Sequence, residues 1–290
     1  MIKDWTFAKI LATGPGTSIR DLGRLGYAQY GVPLSGPADL QAFQWNNHLL
    51  QNNENDAQLE VSQPGFKIQF LAPTLISISG ALSKAKLNNK LIHNTGLQKI
   101  NFEDILEIGN IESGSIIYIG VKHGFQSEQI LKSRSQLKGI TKTFQIAKGD
   151  EVPYFTNQEI PLLNRLSQVK WNSRYLSEEV VRVFPGPEWN LLTPPIQEFL
   201  LGQPFHISTM KNSMAVQLEE LIPNEIPGIA SAPVFPGTIQ LTSGGKMLCL
   251  LQDAQVTGGY PRILQVMEDD LRILAQKKPG QKLRFLLVKN

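Results

Sequence analysis

Pro236-Gly-Thr-Ile-Gln240, then Gly244, then Asp253-Ala-Gln-Val-Thr-Gly-Gly-Tyr-Pro261 is the stretch on which the fold turns. The apolar run Met247–Leu251 lies between its halves. Short apolar runs broken by glycines read as strands joined by tight turns, because glycine reaches backbone angles that other residues resist. Gln240, Asp253, Gln255, Thr257 and Tyr260 then fall near strand ends and beside Gly258-Gly259. In such places polar side chains and open amides can face a small ligand. Read locally, Gly258-Gly259 followed by Pro261 also starts a helix, running from about Pro261 to Lys278 and closed by Pro279-Gly280.

Working outward, Phe7–Thr13, Phe66–Leu71, Leu75–Ser79, Ser115–Val121, Val180–Phe184 and Lys282–Val288 are further short apolar or β-branched runs bounded by turn residues. Helices are fewer. Pro37–Leu50 has Pro at its first position and Leu40, Phe43, Asn47 and Leu50 on one face, and a second helix is expected from Thr193-Pro194-Pro195 to Gly202. Three helices among many strands, without regular β-α alternation, argue against a doubly wound sheet and for barrels or sandwiches. The polar segment Thr156–Ser177 is the expected joint between two domains, which 290 residues also favour.

Composition narrows the function classes. With 41% hydrophobic and 18% charged residues the chain has the material for a core, and its net charge of +3 is scattered, so no footprint for nucleic acid is expected. No stretch approaches the roughly 18 apolar residues of a membrane span, and no apolar leader follows Met1, so the expected location is the cytoplasm. Cys249 lies inside an apolar run and reads as a buried structural thiol. His48, His93, His123 and His206 are far apart without metal-ligand spacing, and no metal is expected. Gly14-Pro-Gly16 and Thr242-Ser-Gly-Gly-Lys246 lack the remaining residues of nucleotide-binding loops, and no Gly-x-Ser-x-Gly elbow occurs.

Four blocks carry a resemblance. Thr17-Ser-Ile-Arg-Asp-Leu-Gly-Arg-Leu-Gly-Tyr27 with Gly31-Val-Pro-Leu-Ser-Gly-Pro-Ala-Asp39 is similar to the pattern TSIQDxGRxGY…GVPxSGAMD. Asn47-His-Leu-Leu-Gln-Asn52 and Leu59-Glu60 with Gly65 follow it. Arg182-Val-Phe-Pro-Gly-Pro187 is similar to RVxxGPQ, with Glu188 where Gln is usual. The stretch quoted first, continued by Asp270, Gln276, Pro279-Gly280 and Arg284-Phe285, is similar to GxIQ…DxQTTGGYP…D…Q…PG…F. In these blocks the chain resembles the family of allophanate hydrolase subunit 2 and the subunit-C component of 5-oxoprolinase, which includes the biotin-dependent carboxyltransferase domain of urea amidolyase.

The resemblance implies a mainly β fold of cyclophilin-like β-barrel domains with a few helices, here an N-terminal β-rich domain (1–165) and a C-terminal cyclophilin-like barrel (166–290). It implies a subunit-C-like component of an ATP-dependent 5-oxoprolinase, acting with a subunit-B-like cyclophilin-fold protein and a subunit-A-like protein. ATP would enter through those partners, and no cofactor is expected on this chain. Opening a lactam needs a stabilised oxyanion and proton transfer. Asp253 and Asp21 are therefore the candidate acid–base residues, and Gln240 or the Gly258-Gly259 amides the candidate donors. Arg24, Asp39, Asn47, Gln255, Thr257 and Tyr260 are candidate substrate-binding residues, and both sets are expected to share one cleft. Read by spacing alone, Asp21, Arg24 and Asp39 brace a loop.

Departures keep two other classes open. Where the family reads SxxSDRMGxRL, its Asp, Arg, Gly and second Arg correspond to Asn212, Ser213, Ala215 and Gln217, so two guanidinium forks are gone. Where it reads GGIxVPxxLGSxST, one glycine of the pair is lost at His123-Gly124, and the glycine after Leu131 is replaced by Lys132. Such drift fits a regulatory subunit that antagonises or tethers a subunit-B-like partner. A carboxyltransferase domain of a urea-amidolyase-like system, fed by carboxybiotin from another protein, is the third class.

Overall fold

The computed structural model describes residues 4–93, 96–157 and 171–288, and it divides into two compact units. The first comprises Met1–Gly23 and Ser35–Arg174, the second Arg24–Leu34 and Tyr175–Asn290. Of the segment expected to join two domains, residues 158–170 lie outside the described residues.

The first unit contains β1 (Trp5–Ala12), β2 (Ser18–Arg20), α1 (Leu40–Leu49), β3 (Gln58–Val61), β4 (Phe66–Phe70), β5 (Thr74–Leu87), β6 (Lys90–Ile92), β7 (Gly96–Ile100), β8 (Ile105–Val121) and β9 (Glu151–Phe155). They form one nine-stranded antiparallel sheet in which β2-β3-β8-β4-β1-β9 are successive neighbours and β5 pairs with β6, β7 and β8. The β4 strand shows why these residues pair. Phe66, Ile68 and Phe70 are buried while Lys67 and Gln69 are half-buried, and Lys67 pairs across the ladder with Glu107 at 3.1 Å. Each fully buried Phe or Ile contributes about 1.5–3 kcal/mol through its apolar area.

The β5 and β8 strands are far longer than the apolar runs Leu75–Ser79 and Ser115–Val121 suggest, because glycines that look like breakers are bulges. Gly80 has φ 88°, and a Cβ there would sit 2.4 Å from the Ile116 carbonyl oxygen, at the point where the β5–β8 register shifts. The first helix begins at Leu40 rather than Pro37, capped by Asp39, and buries Ala42, Phe43, Asn46 and Asn47 while Leu40 is exposed.

The second unit contains β10 (Val180–Pro185), α2 (Pro194–Gly202), β11 (Phe205–Lys211), β12 (Ala215–Leu218), β13 (Ala232–Pro233), β14 (Thr238–Leu241), β15 (Met247–Leu250), β16 (Thr257–Gly258), β17 (Arg262–Val266), α3 (Leu271–Gln276) and β18 (Lys282–Leu287). Seven strands close a barrel in the order β10-β17-β14-β15-β12-β11-β18, sealed by the parallel pair β10–β18. β13 and β16 form a separate two-stranded ribbon. The interior takes alternate residues such as Val181, Val183, Ile239, Leu241, Leu283 and Phe285. Cys249 lies among them, and burial pushes its thiol up to about 12, which keeps it protonated and inert.

The helix expected from Pro261 to Lys278 is corrected. Arg262–Val266 is a barrel strand, hydrogen-bonded to β10 on one side and β14 on the other, and only Leu271–Gln276 is α-helical, after a 3-10 turn over Glu268–Asp270. Ile263, Leu264 and Val266 are all buried, and completing two ladders outweighs the local preference for a helix after Gly-Gly-Tyr-Pro. Among the described residues no helix is long and apolar enough to cross a membrane.

Candidate functional site

Asp21 and Asp39 lie in the first unit, where their carboxylates are committed to backbone and loop. Asp21 is buried, and its two oxygens accept from Ser133 Oγ (2.6 Å), Ser135 Oγ (2.8 Å), the Arg134 amide (2.6 Å) and the Gly23 amide (2.9 Å). This geometry anchors the loop 133–135. Asp39 caps α1 by accepting from the Ala42 amide at 3.0 Å, and Asn47 closes the following loop by donating to the carbonyls of Glu54 and Asp56 at 3.1 and 3.0 Å.

Beside the Asp39 cap lies a buried polar network that the spacing of Asp21, Arg24 and Asp39 does not announce. Tyr118 donates to Glu60 at 2.5 Å and accepts from the Asp39 amide at 3.0 Å, while Glu60 also accepts from the Ala38 amide and lies 3.6 Å from Arg20 Nε. Burial, and then the neighbouring Glu60 and Asp39 charges, hold the Tyr118 hydroxyl well above its ordinary value, so it remains a neutral donor. Arg20, which replaces the family's Gln, is thus a partner for Glu60.

Arg24 belongs to the second unit, where its amide donates to the Leu34 carbonyl at 2.7 Å and its side chain is buried. In the same unit the strand β14 carries Gln240, which is wholly buried and stands opposite Leu248 on β15 and Arg262 on β17. Its Oε1 accepts from Gln255 Nε2 at 3.4 Å, while its Nε2 has no hydrogen-bond partner among the described residues. An orphaned buried amide is costly, about 1–3 kcal/mol, unless something fills the vacant direction.

Gly258 faces that amide: a Cβ at this position would lie 2.5 Å from Gln240 Nε2. Thr257 and Gly258 form β16, paired with Ala232 and Pro233, and the ribbon is continued by Val234 N–H to Val256 O (3.0 Å) and Ile229 N–H to Gly259 O (3.1 Å). Thr257, Gly259 and Tyr260 are exposed at its outer end. Asp253 is buried, and its amide donates to the Ser213 carbonyl at 3.1 Å. The position that lost the family's arginine therefore adjoins Asp253. Gln217, the second lost arginine, lines a shallow groove of about 290 Å³ with Lys211, Asn212 and Leu248.

Two ion pairs fasten the barrel around this cluster. Arg182 grips Asp270 with Nε and Nη2 at 2.9 and 2.7 Å, uniting two residues of the sequence blocks. Arg262, which the pattern did not single out, grips Glu188 with Nε and Nη2 at 3.0 and 2.8 Å, and also donates its amide to Glu188 and Nη1 to the Pro233 carbonyl. Its hydrogen bonds to Glu188 hold that carboxyl below its ordinary value. The signal available in the sequence was Glu188 standing where Gln is usual, since a carboxylate in that place calls for a cation.

The profile of a family described as "Carboxyltransferase domain, subdomain A and B" matches residues 30–287. The chain belongs to this carboxyltransferase-domain family. It is 27% identical over 285 residues to the subunit-C protein of 5-oxoprolinase from Escherichia coli, covering 96% of this chain and 90% of that one. It is 28% identical over 286 residues to the Haemophilus influenzae protein of the same name, covering 95% and 89%. Among solved structures, TTHA0988 superposes with a TM-score of 0.84 at 22% identity over 97% of this chain and 55% of that one. The Kluyveromyces lactis urea amidolyase superposes at 0.83 and 23% over 98% of this chain and 19% of that one. The carboxyltransferase-domain chain thus spans about half and about a fifth of those two molecules, and the likeness to them is one of fold.

Proposed function

We propose that the chain is the subunit-C-like component of an ATP-dependent 5-oxoprolinase and hydrolyses 5-oxoproline to glutamate together with subunit-B-like and subunit-A-like partners. The observation that carries this reading is Gln240 Nε2, a buried donor with no partner among the described residues, packed so closely on Gly258 that a Cβ there would lie 2.5 Å from it. A lactam carbonyl is an acceptor of the right kind. As water adds to that carbonyl, negative charge gathers on its oxygen, and a fixed amide donor stabilises the charge more than the starting carbonyl. Breaking the ring C–N bond leaves the amine of glutamate, which needs a proton. Asp253, buried in the same unit, is the residue assigned to that proton transfer. Gln255 orients Gln240 through its oxygen, and Thr257, Gly259 and Tyr260 offer exposed polar contacts at the ribbon.

The test mixes the purified chain with its candidate partner subunits, 5-oxoproline and ATP, and follows glutamate. Release that requires this chain supports the proposal; no turnover with any combination sinks it. The loss of guanidinium forks at Ser213, beside Asp253, and at Gln217 favours a second reading as a regulatory subunit. Tight binding of a subunit-B-like partner without turnover would select it.

A further inference from the structure

We propose that the Glu188–Arg262 ion pair is a positioning clamp that fixes the Thr257–Tyr260 segment against Gln240, and so sets the direction in which the Gln240 amide is offered. The inference rests on the reading of Gln240 as the substrate's donor and adds the residues that aim it. Arg262 stands directly across the ladder from Gln240, at the point where the β14–β17 register shifts. Its guanidinium reaches two other segments: the turn after β10 through Glu188, and β13 through the Pro233 carbonyl at 2.9 Å. Pro233 is paired with Thr257 and Ala232 with Gly258, and Gly258 lies against Gln240 Nε2. These contacts close a circuit from Gln240 through Arg262, Pro233 and Gly258 back to Gln240.

The ribbon needs such a tie. A two-stranded ribbon with two residues a side is not stable by itself. Val234 roots it on Leu250 and Ala254, but Pro233 and Thr257 are exposed. Only a planar fork with five donors can grip a carboxylate with two bonds and still spare one for a carbonyl, which a lysine ammonium cannot reproduce. The turn before Glu188 is shaped to the same end. A Cβ on Gly186 would lie 2.1 Å from the Arg262 carbonyl oxygen, so the turn seats directly on the Arg262 backbone.

The test uses the full-length chain without ligand, labelled with nitrogen-15, and reads the Gln240 side-chain amide signal together with hydrogen exchange at Val234, Ile229, Leu248 and Cys249. Arg262→Lys is expected to move the Gln240 signal and to speed exchange at Val234 and Ile229 about tenfold, with Leu248 and Cys249 unchanged. Glu188→Gln leaves one oxygen for the fork and turns an amide N–H toward its other donor, so it is expected to disturb the same signals in the same direction, short of the Arg262→Lys effect. Three results overturn the clamp: a wild-type Gln240 signal and exchange pattern in Arg262→Lys, equal acceleration at Leu248 and Cys249, or a wild-type signal and exchange pattern in Glu188→Gln. Because no readout involves 5-oxoproline, a failed glutamate assay leaves the clamp standing, and a failed clamp leaves that assay intact.

Discussion

Lys132 stands where the family pattern has glycine, and its φ of 62° lies in the left-handed region that disfavours a side chain. Lys132→Gly should therefore raise the unfolding free energy by about 1 kcal/mol after the entropy of the added glycine is offset. Denaturant unfolding measures it, and a loss of stability would show that Lys132 makes a favourable contact worth more than the strain. Gly258 is the converse case. Gly258→Ala should push the Gln240 amide aside, lowering partner-dependent activity on 5-oxoproline while shifting the melting temperature by only a few degrees. A collapse of the fold, or unchanged activity, would contradict that. The polar residues themselves were legible from their place in glycine-rich blocks. Their roles were not, because nothing in the spacing tells that Asp21 is filled by Ser133, Arg134 and Ser135, over 100 residues away.

At the scale of elements, the apolar runs marked seven of the eighteen described strands, and Thr193-Pro194-Pro195 marked the start of α2. The misreading of Arg262–Val266 as helix has a plain cause: five residues hold too little period to separate a strand from a helix, and the ladders to β10 and β14 that decide it are long-range. Those ladders are reinforced where Glu188 meets Arg262, and this makes the barrel sensitive to acid. The hydrogen bonds from Arg262 lower the Glu188 carboxyl below its ordinary 4.5, so the folded state binds that proton less readily than the unfolded chain. The contribution is full above about pH 4.5 and is lost as pH falls through the lowered folded value. Glu188→Gln should flatten the acid limb of a stability-against-pH curve relative to wild type. Parallel acid limbs for the two proteins would mean that the pair contributes nothing through its charge.

At the scale of the whole molecule, the chain has two β-rich units and a near full-length likeness to the subunit-C proteins of 5-oxoprolinase, and the proposed chemistry depends on ATP brought by a partner. The family could be read from the order and spacing of its blocks. The family pattern has arginines where this chain has Ser213 and Gln217, and the Ser213 carbonyl accepts from the Asp253 amide. The most direct measurement is glutamate release from 5-oxoproline and ATP by the reconstituted complex, comparing wild type with Gln240→Leu at equal partner binding. The account predicts turnover with wild type and a fall of about a hundredfold in kcat with Gln240→Leu, the usual cost of removing one donor to a developing oxyanion. Equal rates for the two proteins, or no glutamate from wild type with any partner combination, would contradict it.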